Sequence, residues 1–301
     1  MIELRRVETE EDADLFLALR TEIDPEHMMS RAAYLEDVDS PTRLDLLGLL
    51  DGAPVGAGFV ERHADDLAGE GPEGWISVRV VQRHRRQGVG TALFRALSAR
   101  ARSDGRSALT MSVRHDDLDA QSYLGKRGFV EVLRMRESVL DLAHAGGRFA
   151  PPGDVELVPF GNELEPAVYA AAVEIARDIP AADGVEIGTL DTWRAHELSP
   201  QLLRDCSFVA LSRGEVVGYA TLHAGDNDEG LHAMTGVVRE WRRRGVALAL
   251  KRAQIDAATR RGLRRLRTGN AIENPMLKVN ERLGYRRDVD WLHLRGPLLD
   301  R

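Results

Sequence analysis

The sequence predicts an α/β (α+β) protein made of two tandem copies of one domain. Three observations carry this. The chain has 301 residues, a length that suits two domains. A basic, glycine-ended phrase occurs twice, as "QRHRRQGVG" from Gln82 and "REWRRRGVA" from Arg239, with Gly88 and Gly245 offset by 245 − 88 = 157 residues. Across the window Val80–Leu93 against Val237–Leu250, 8 of 14 positions are identical, at a period far too long for a solenoid. Finally, each copy follows a β-rich run ("VRVV", "TGVV") and precedes an amphipathic helical pattern.

In the first copy, Ile2–Val7 reads as a strand, followed by helices over Glu10–Ile23 and Arg31–Val38. The segment "LDLLGLLDGAPVGAGFV" is a hairpin, with Asp51-Gly52 supplying the turn. Trp75–Val81 is a strand, Val89–Ser103 a helix, Ala108–Val113 a strand and Leu118–Lys126 a helix, and Phe129–Leu140 is expected to close this first sheet. Gly146-Gly147 and Pro151-Pro152 then mark a linker. The predicted division is a domain over 1–142, a linker over 143–153 and a domain over 154–301. The second copy repeats the order: a strand and helix after Val155, a hairpin over "FVALSRGEVVGYATLHA" turning at Arg213-Gly214, a strand over Leu231–Val238 and a helix over Val246–Arg261. A strand over Arg265–Thr268, a helix over Asn274–Arg282 and a last strand over Arg286–Leu294 complete it.

Composition narrows the function. Net charge is −7, which argues against bulk attraction to nucleic acid or an anionic membrane. No apolar run reaches the roughly 20 residues of a membrane span. No signal pattern opens the sequence, and Cys206 is its single cysteine, so a cytoplasmic location is expected. The arginine-rich stretch Arg260–Arg267 lacks interleaved aromatics and reads as a solvated helix end. No metal site is predicted.

The repeated phrase falls in a strand-to-helix loop. First-turn N–H groups there lack intrahelical partners and the helix dipole is positive, while Gly88 and Gly245 admit a ligand close to the backbone. This favours a phosphate or pyrophosphate. A dinucleotide fingerprint would need a third glycine where Leu93 stands, and a P-loop would need Gly-Lys-Ser/Thr.

Arg85-x-x-Gly88-x-Gly90 and Arg242-x-x-Gly245-x-Ala247 resemble the pyrophosphate-binding motif of the GNAT acyltransferases. "YLGKRGF" (Tyr123–Phe129) and "VNERLGY" (Val279–Tyr285) resemble that family's closing helix and Gly-aromatic ending. The resemblance implies two GNAT-like domains, each a mixed, mostly antiparallel sheet flanked by helices, with acetyl-CoA as the acyl donor. Pantetheine would lie in a V-shaped opening between two splayed strands. The implied cofactor contacts are Val80, Val81, Arg85, Arg86, Gln87, Gly88, Val89, Gly90 and Thr91 in the first copy. In the second they are Val237, Val238, Arg242, Arg243, Arg244, Gly245, Val246 and Ala247; Asn270 and Asn274 are added as cofactor contacts because amides both donate and accept, which suits the pantetheine amides. Backbone N–H groups at Val80 and Val237 would stabilise the thioester oxyanion.

The expected activity is acetyl-CoA-dependent N-acetyl transfer to an amine of a small molecule or peptide. The alternative is a non-catalytic acyl-CoA-binding or interaction module of the same fold. A monomer or homodimer is expected. By offset, His232 corresponds to Trp75 and Thr235 to Val78, and by the closing motif Asn280 corresponds to Leu124. Only the second copy has titratable or polar groups there, so His232, Thr235 and Asn280 are its catalytic candidates. Histidine works as a base near neutral pH without a large shift; a half-buried histidine satisfied by a backbone carbonyl is the competing reading. Glu229 is a second candidate base. Neither half has a tyrosine at the family's usual acid position, four residues before the Gly-aromatic pair. Asn274 before Pro275 also fits a helix N-cap. Acceptor recognition is assigned to segments 25–40 and 179–193, which carry no readable code.

Overall fold

The computed structural model describes residues 1–23, 31, 34–35, 40, 42–62, 73–145, 150–180, 185, 187–225 and 227–299. The helix expected over Arg31–Val38 and the acceptor segment 25–40 lie largely outside the described residues. The chain forms two compact units, Met1–Val132 with Leu292–Arg301, and Leu133–Trp291.

In the first unit the sheet order is β1 (Ile2–Arg6), β2 (Leu44–Leu50), β3 (Ala53–Arg62), β4 (Glu73–Val80), β5 (Ala108–Arg114) and then β12 (Arg286–Pro297), which belongs to this unit from Leu292 onward. Asp51 (φ 51°) and Gly52 (φ 82°) make the β2–β3 turn, both in the left-handed region that tight hairpins require. Helix α1 (Glu10–Ile23) covers one face through Phe16 against Leu47 and Phe59. Helices α2 (Val89–Ser103) and α3 (Leu118–Gly125) cover the other, where Leu93, Phe94, Leu97, Leu124 and Phe129 form the core. Strand β4 runs antiparallel to β3 throughout, but meets β5 in parallel only at Glu73↔Ala108, Gly74↔Leu109 and Trp75↔Thr110.

The second unit repeats the plan in the order β6 (Val130–Asp141), β11 (Arg265–Ala271), β10 (Glu229–Val237), β9 (Glu215–Ala224), β8 (Phe208–Ser212) and β7 (Glu156–Pro159). Helices α4 (Glu165–Ala176) and α5 (Leu190–Glu197) lie on one face; α6 (Val246–Arg261) and α7 (Met276–Arg282) lie on the other. The sequence reading had no helix at α5, whose start is fixed by the Thr189 side chain accepting from Thr192 N–H. Strands β10 and β11 pair in parallel only at Glu229↔Arg265, Gly230↔Leu266 and Leu231↔Arg267. No helix among the described residues is long and apolar enough to cross a membrane.

One expectation is overturned. The strand over Phe129–Leu140 does not close the first sheet: Met135–Asp141 pairs antiparallel with Ala271–Arg265 in the second unit. The chain's last strand ends in the first unit, where Leu292 and Leu294 join the core of Phe94 and Phe129, and Arg295 pairs with Glu73. Alternating apolar residues specify a strand and its buried face, but not its neighbour, which is decided by long-range packing.

The seven residue pairs between β6 and β11 carry hydrogen bonds worth about 1 kcal/mol each. That approaches a whole domain's stability of about 5–15 kcal/mol. Fragment 154–301 should therefore show no cooperative thermal transition by circular dichroism, whereas 133–291 should. A cooperative melt of 154–301 alone would show the exchanged strand to be dispensable.

Candidate functional site

The two repeated loops have nearly identical backbones. Each strand passes through one 3₁₀ turn (Gln82–His84, Arg239–Trp241) and an extended arginine (Arg85 φ −66°, ψ 161°; Arg242 φ −66°, ψ 155°). A left-handed arginine follows (Arg86 φ 65°, Arg243 φ 62°), and each loop ends on a left-handed glycine (Gly88 and Gly245, both φ 91°) at the helix N-cap. The first backbone bonds into each helix come from Ala92 N–H to Gly88 O and from Ala249 N–H to Gly245 O. The amides ahead of them point out along the axis, where an anion is stabilised. A Cβ at Gly245 would meet nothing within 4 Å, whereas at Gly88 it would lie 3.1 Å from Ile2 Cδ1. The second cradle is thus the more open.

The first arginine of each motif is a strut. Arg85 Nε donates to Val80 O (3.2 Å) and Arg242 Nε to Val237 O (2.9 Å). Arg242 Nη1 also donates to Asp178 (2.7 Å), whose carboxyl Arg239 and Arg242 hold below its usual range. Charge for a phosphate would therefore come from the remaining arginines, Arg243 and Arg244, and from the loop amides. Val81 N–H bonds Val55 O and Val238 N–H bonds Val217 O. Since successive strand amides alternate in direction, Val80 and Val237 turn their N–H and C=O toward the opening. An oxyanion donor needs that direction.

The two openings differ through one irregularity. β9 pairs with β10 at Leu222↔His232, Thr221↔Met234, Ala220↔Thr235 and Gly218↔Val237, leaving Ala233 as an extra residue. This bulge places His232, Thr235 and Val237 on the α6 face, although an odd spacing would normally put His232 and Thr235 on opposite faces. In the first unit β3 and β4 pair without a shift, so Trp75 faces α1 and touches His293. The sequence equivalence of His232 with Trp75 is thereby corrected. Counting from Val237 and Val80, the residue standing where His232 stands is Ile76, which packs in the apolar core.

Beside His232 lies a buried polar cluster. Tyr285 Oη and His232 Nε2 are 2.5 Å apart. Lys251 Nζ sits 4.9 Å from the centre of the Tyr285 ring, and Lys251 is 1% exposed. Gln254, fully buried one turn along α6, adjoins His232. Burial pushes the Tyr285 phenol up, so its hydroxyl keeps its proton and donates to Nε2, assigning the imidazole proton to Nδ1. Burial and the neighbouring Lys251 hold His232 well below its ordinary value, contrary to the unshifted base expected from sequence. Burial likewise pushes Lys251 down to about 7. His232 Nδ1, Thr235 Oγ1, both amide atoms of Gln254 and Asn280 Oδ1 make no hydrogen bond of good geometry among the described residues, although the Gln254 amide lies close enough to His232 to favour its charged form. The first unit has Phe94 and Leu97 in place of Lys251 and Gln254, and the Phe94 and Phe129 rings, 5.7 Å apart, occupy the place of Lys251 and Tyr285.

Other candidates fall differently. Asn280, 1% exposed, donates to Asn270 Oδ1 (2.8 Å). Asn274 accepts from Met276 N–H (2.9 Å), a capping contact. Glu229 is held by Arg267 (2.7 Å) and Arg265 (3.5 Å) where β10 and β11 still pair, so it is not an available base. On the α4/α5 face, Thr221 donates to Glu197, a carboxyl that burial pushes up to about 7. Sequence reasoning missed Lys251, Gln254, Tyr285 as a partner, and Glu197. The signal for the first two was present: aligned at the repeat offset, α6 puts polar residues where α2 has core residues.

Each unit thus joins an anion-ready helix N-terminus to a splayed strand pair with an inward-facing amide, the architecture of an acyl-CoA-dependent transferase. The sequence profile of the Acetyltransferase (GNAT) family matches residues 8–129 and 173–285. The chain belongs to that family. The fold is similar to a GCN5-related N-acetyltransferase from Sphaerobacter thermophilus (TM-score 0.82, 18% identity, 99% of this chain and 96% of that one). It is also similar to a tandem GNAT protein from the clavulanic acid biosynthesis pathway (TM-score 0.80, 20% identity, 100% of both chains). At these identities the likeness establishes the fold. No curated protein matches the chain by sequence.

The buried lysine has a measurable cost. Unfolded, Lys251 stays charged up to about pH 10.4; folded, it is charged only below about 7. The unfolded state binds more protons in between, so the penalty is full below about pH 7 and fades as pH rises through that window. Lys251→Met should raise the Tm, and by more at pH 6 than at pH 9. Equal gains at both pH values, or a loss at pH 6, would contradict this.

Proposed function

We propose that the protein is an acetyl-CoA-dependent N-acetyltransferase acting on an amine of a small molecule or peptide, and that the second unit performs the reaction. The observation that supports this most is the polar cluster of His232, Lys251, Gln254 and Tyr285 beside β10, where the first unit has Ile76, Phe94, Leu97 and Phe129, while both units keep the same cradle. The pyrophosphate of CoA rests on the amides after Gly245, assisted by Arg243 and Arg244. Pantetheine lies along the splayed edge of β10, with Asn270 and Asn274 at the opposite wall. The acceptor amine attacks the thioester carbon, and Val237 N–H takes up the developing oxyanion. His232, neutral across physiological pH, receives the amine proton directly or through water. Thr235 and Asn280 position the thioester. The departing thiolate takes up that proton from His232, directly or through water, as the tetrahedral intermediate collapses. The first unit binds acyl-CoA through Arg86, Gly88, Gly90 and Thr91 without turning it over.

Gly245 has a positive φ and open space above it, so Gly245→Glu both strains the backbone and sets a carboxylate against the pyrophosphate. It should abolish acetyl transfer, whereas Gly88→Glu should leave most of it. The opposite result in one transfer assay would move the reaction to the first unit. Absence of acetyl-CoA binding to the wild type by calorimetry would remove the enzyme reading.

His232→Ala should lower kcat by about 10²-fold or more, with a much smaller change in acetyl-CoA affinity. Because His232 is held well below its ordinary value, the wild-type rate should show no limb near pH 6.5 that His232→Ala removes. Such a limb would show the imidazole to be solvated in the working enzyme.

A further inference from the structure

The donor range follows from comparing the two units, on the reading that the second binds acyl-CoA. What they share is what CoA itself requires: the left-handed glycine, the arginine strut and the valine amide aimed into the opening. What they do not share is the floor. In the first unit it is Ile76, Phe94, Leu97 and Phe129, all in one apolar cluster. In the second the corresponding groups are His232, Lys251, Gln254 and Tyr285. A difference in the floor answers to the group that reaches the floor, which for a donor anchored at the helix N-terminus is its acyl end.

Of the unpartnered atoms, the His232 Nδ1–H, the Gln254 amide N–H and the Thr235 hydroxyl can donate, while Gln254 Oε1 and Asn280 Oδ1 accept; among them the Lys251 ammonium is buried against the Tyr285 ring. No carboxylate among the described residues pairs with Lys251, and buried polar groups are ordinarily satisfied. A buried cation with no carboxylate beside it, flanked by neutral donors, matches a carboxylate. We propose that the second unit accepts, beyond acetyl, short dicarboxylic acyl groups whose free carboxylate is received by Lys251, His232, Gln254 and Thr235. Strand residues rise about 3.3 Å each, so Thr235 lies roughly 7 Å below the Val237 amide, the reach of a chain of about four carbons. The chemistry is unchanged. The acceptor nitrogen bonds to the thioester carbon, the C–S bond breaks, and the amine proton ends on the CoA thiol. The carboxylate is carried intact into the product amide.

The test is calorimetric titration of the full-length Gly88→Glu protein, so that the second unit is read alone, with succinyl-CoA, butyryl-CoA and acetyl-CoA. Butyryl matches succinyl in carbon count but lacks the carboxylate. Succinyl-CoA should bind at least about tenfold more tightly than butyryl-CoA, as a charge-assisted hydrogen bond implies. In Lys251→Met that ratio should fall to about one, and Gln254→Leu, which introduces the residue of the first unit, should reduce it. Lys251→Met removes a buried charge and Gln254→Leu a buried unpartnered amide, and each removal favours folding, so both variants should melt cooperatively. A wild-type ratio near one, or a ratio unchanged in both variants, would overturn the proposal while leaving acyl-CoA binding in place. Failure of all three thioesters to bind would remove the acyl-CoA reading and this proposal together.

Discussion

A parallel strand pair that stops after three residues is the constraint from which the rest of each unit follows. Beyond Trp75 and Leu231 the edges of β4 and β10 have no parallel neighbour, yet their backbone groups need partners. One of them, the carbonyl of Val80 or Val237, is taken by the first arginine of the motif. The adjacent N–H has no such partner built for it and faces the opening. The same strut ties the loop to the strand, and so fixes where the following helix presents its amides. Splayed strands, inward amide and anion cradle are one construction, written twice.

The bulge after His232 makes the two copies chemically unlike. One inserted residue carries His232 to the α6 face, where Lys251 and Gln254 already stand. Without it, β4 turns Trp75 the other way and leaves Ile76 in the core. The second unit gives up apolar packing for this arrangement, and the depressed Lys251 records the desolvation involved. Sites that sacrifice packing for unpaired polar groups are where function is expected to reside.

Much of this was legible in the sequence. Helices α1, α2 and α6 fall on the residues their apolar periodicity indicates, and both hairpins turn at the Asp-Gly and Arg-Gly pairs. These features are local, and local chemistry decides them. The exchanged strands were not legible, because Phe129–Leu140 and Arg286–Leu294 encode a strand without naming a neighbour. The bulge was not legible either: "LHAMTGV" carries no glycine or proline at the inserted Ala233, and the repeat offset alone put Trp75 in the place of His232. Asn274 was readable as a cap because the Asn-Pro pair is itself the signal. Lys251 shows only when the two helices are aligned at the repeat offset, which sets it against the core residue Phe94; within its own helix nothing marks it as buried.

Energy decides which polar residues carry information. The arginines of Arg260–Arg267 drew attention by number, but Arg261 is met by Asp205 at the surface, and Arg267, half-buried, is met by Glu229 and Asp288. An exposed pair contributes only about 0–1 kcal/mol, and the half-buried arginine is already paired, so their presence needs no functional cause. The floor of the second unit is the opposite case. Each buried polar group left unpaired costs about 1–3 kcal/mol, and His232, Thr235, Gln254 and Asn280 all contribute. Their sum is comparable with the whole stability of a domain, about 5–15 kcal/mol. The same fold shows in its first unit that an apolar floor packs without that cost. A second unit that retains the polar version also keeps Lys251 buried with no carboxylate beside it, an arrangement that an anion entering the floor would relieve.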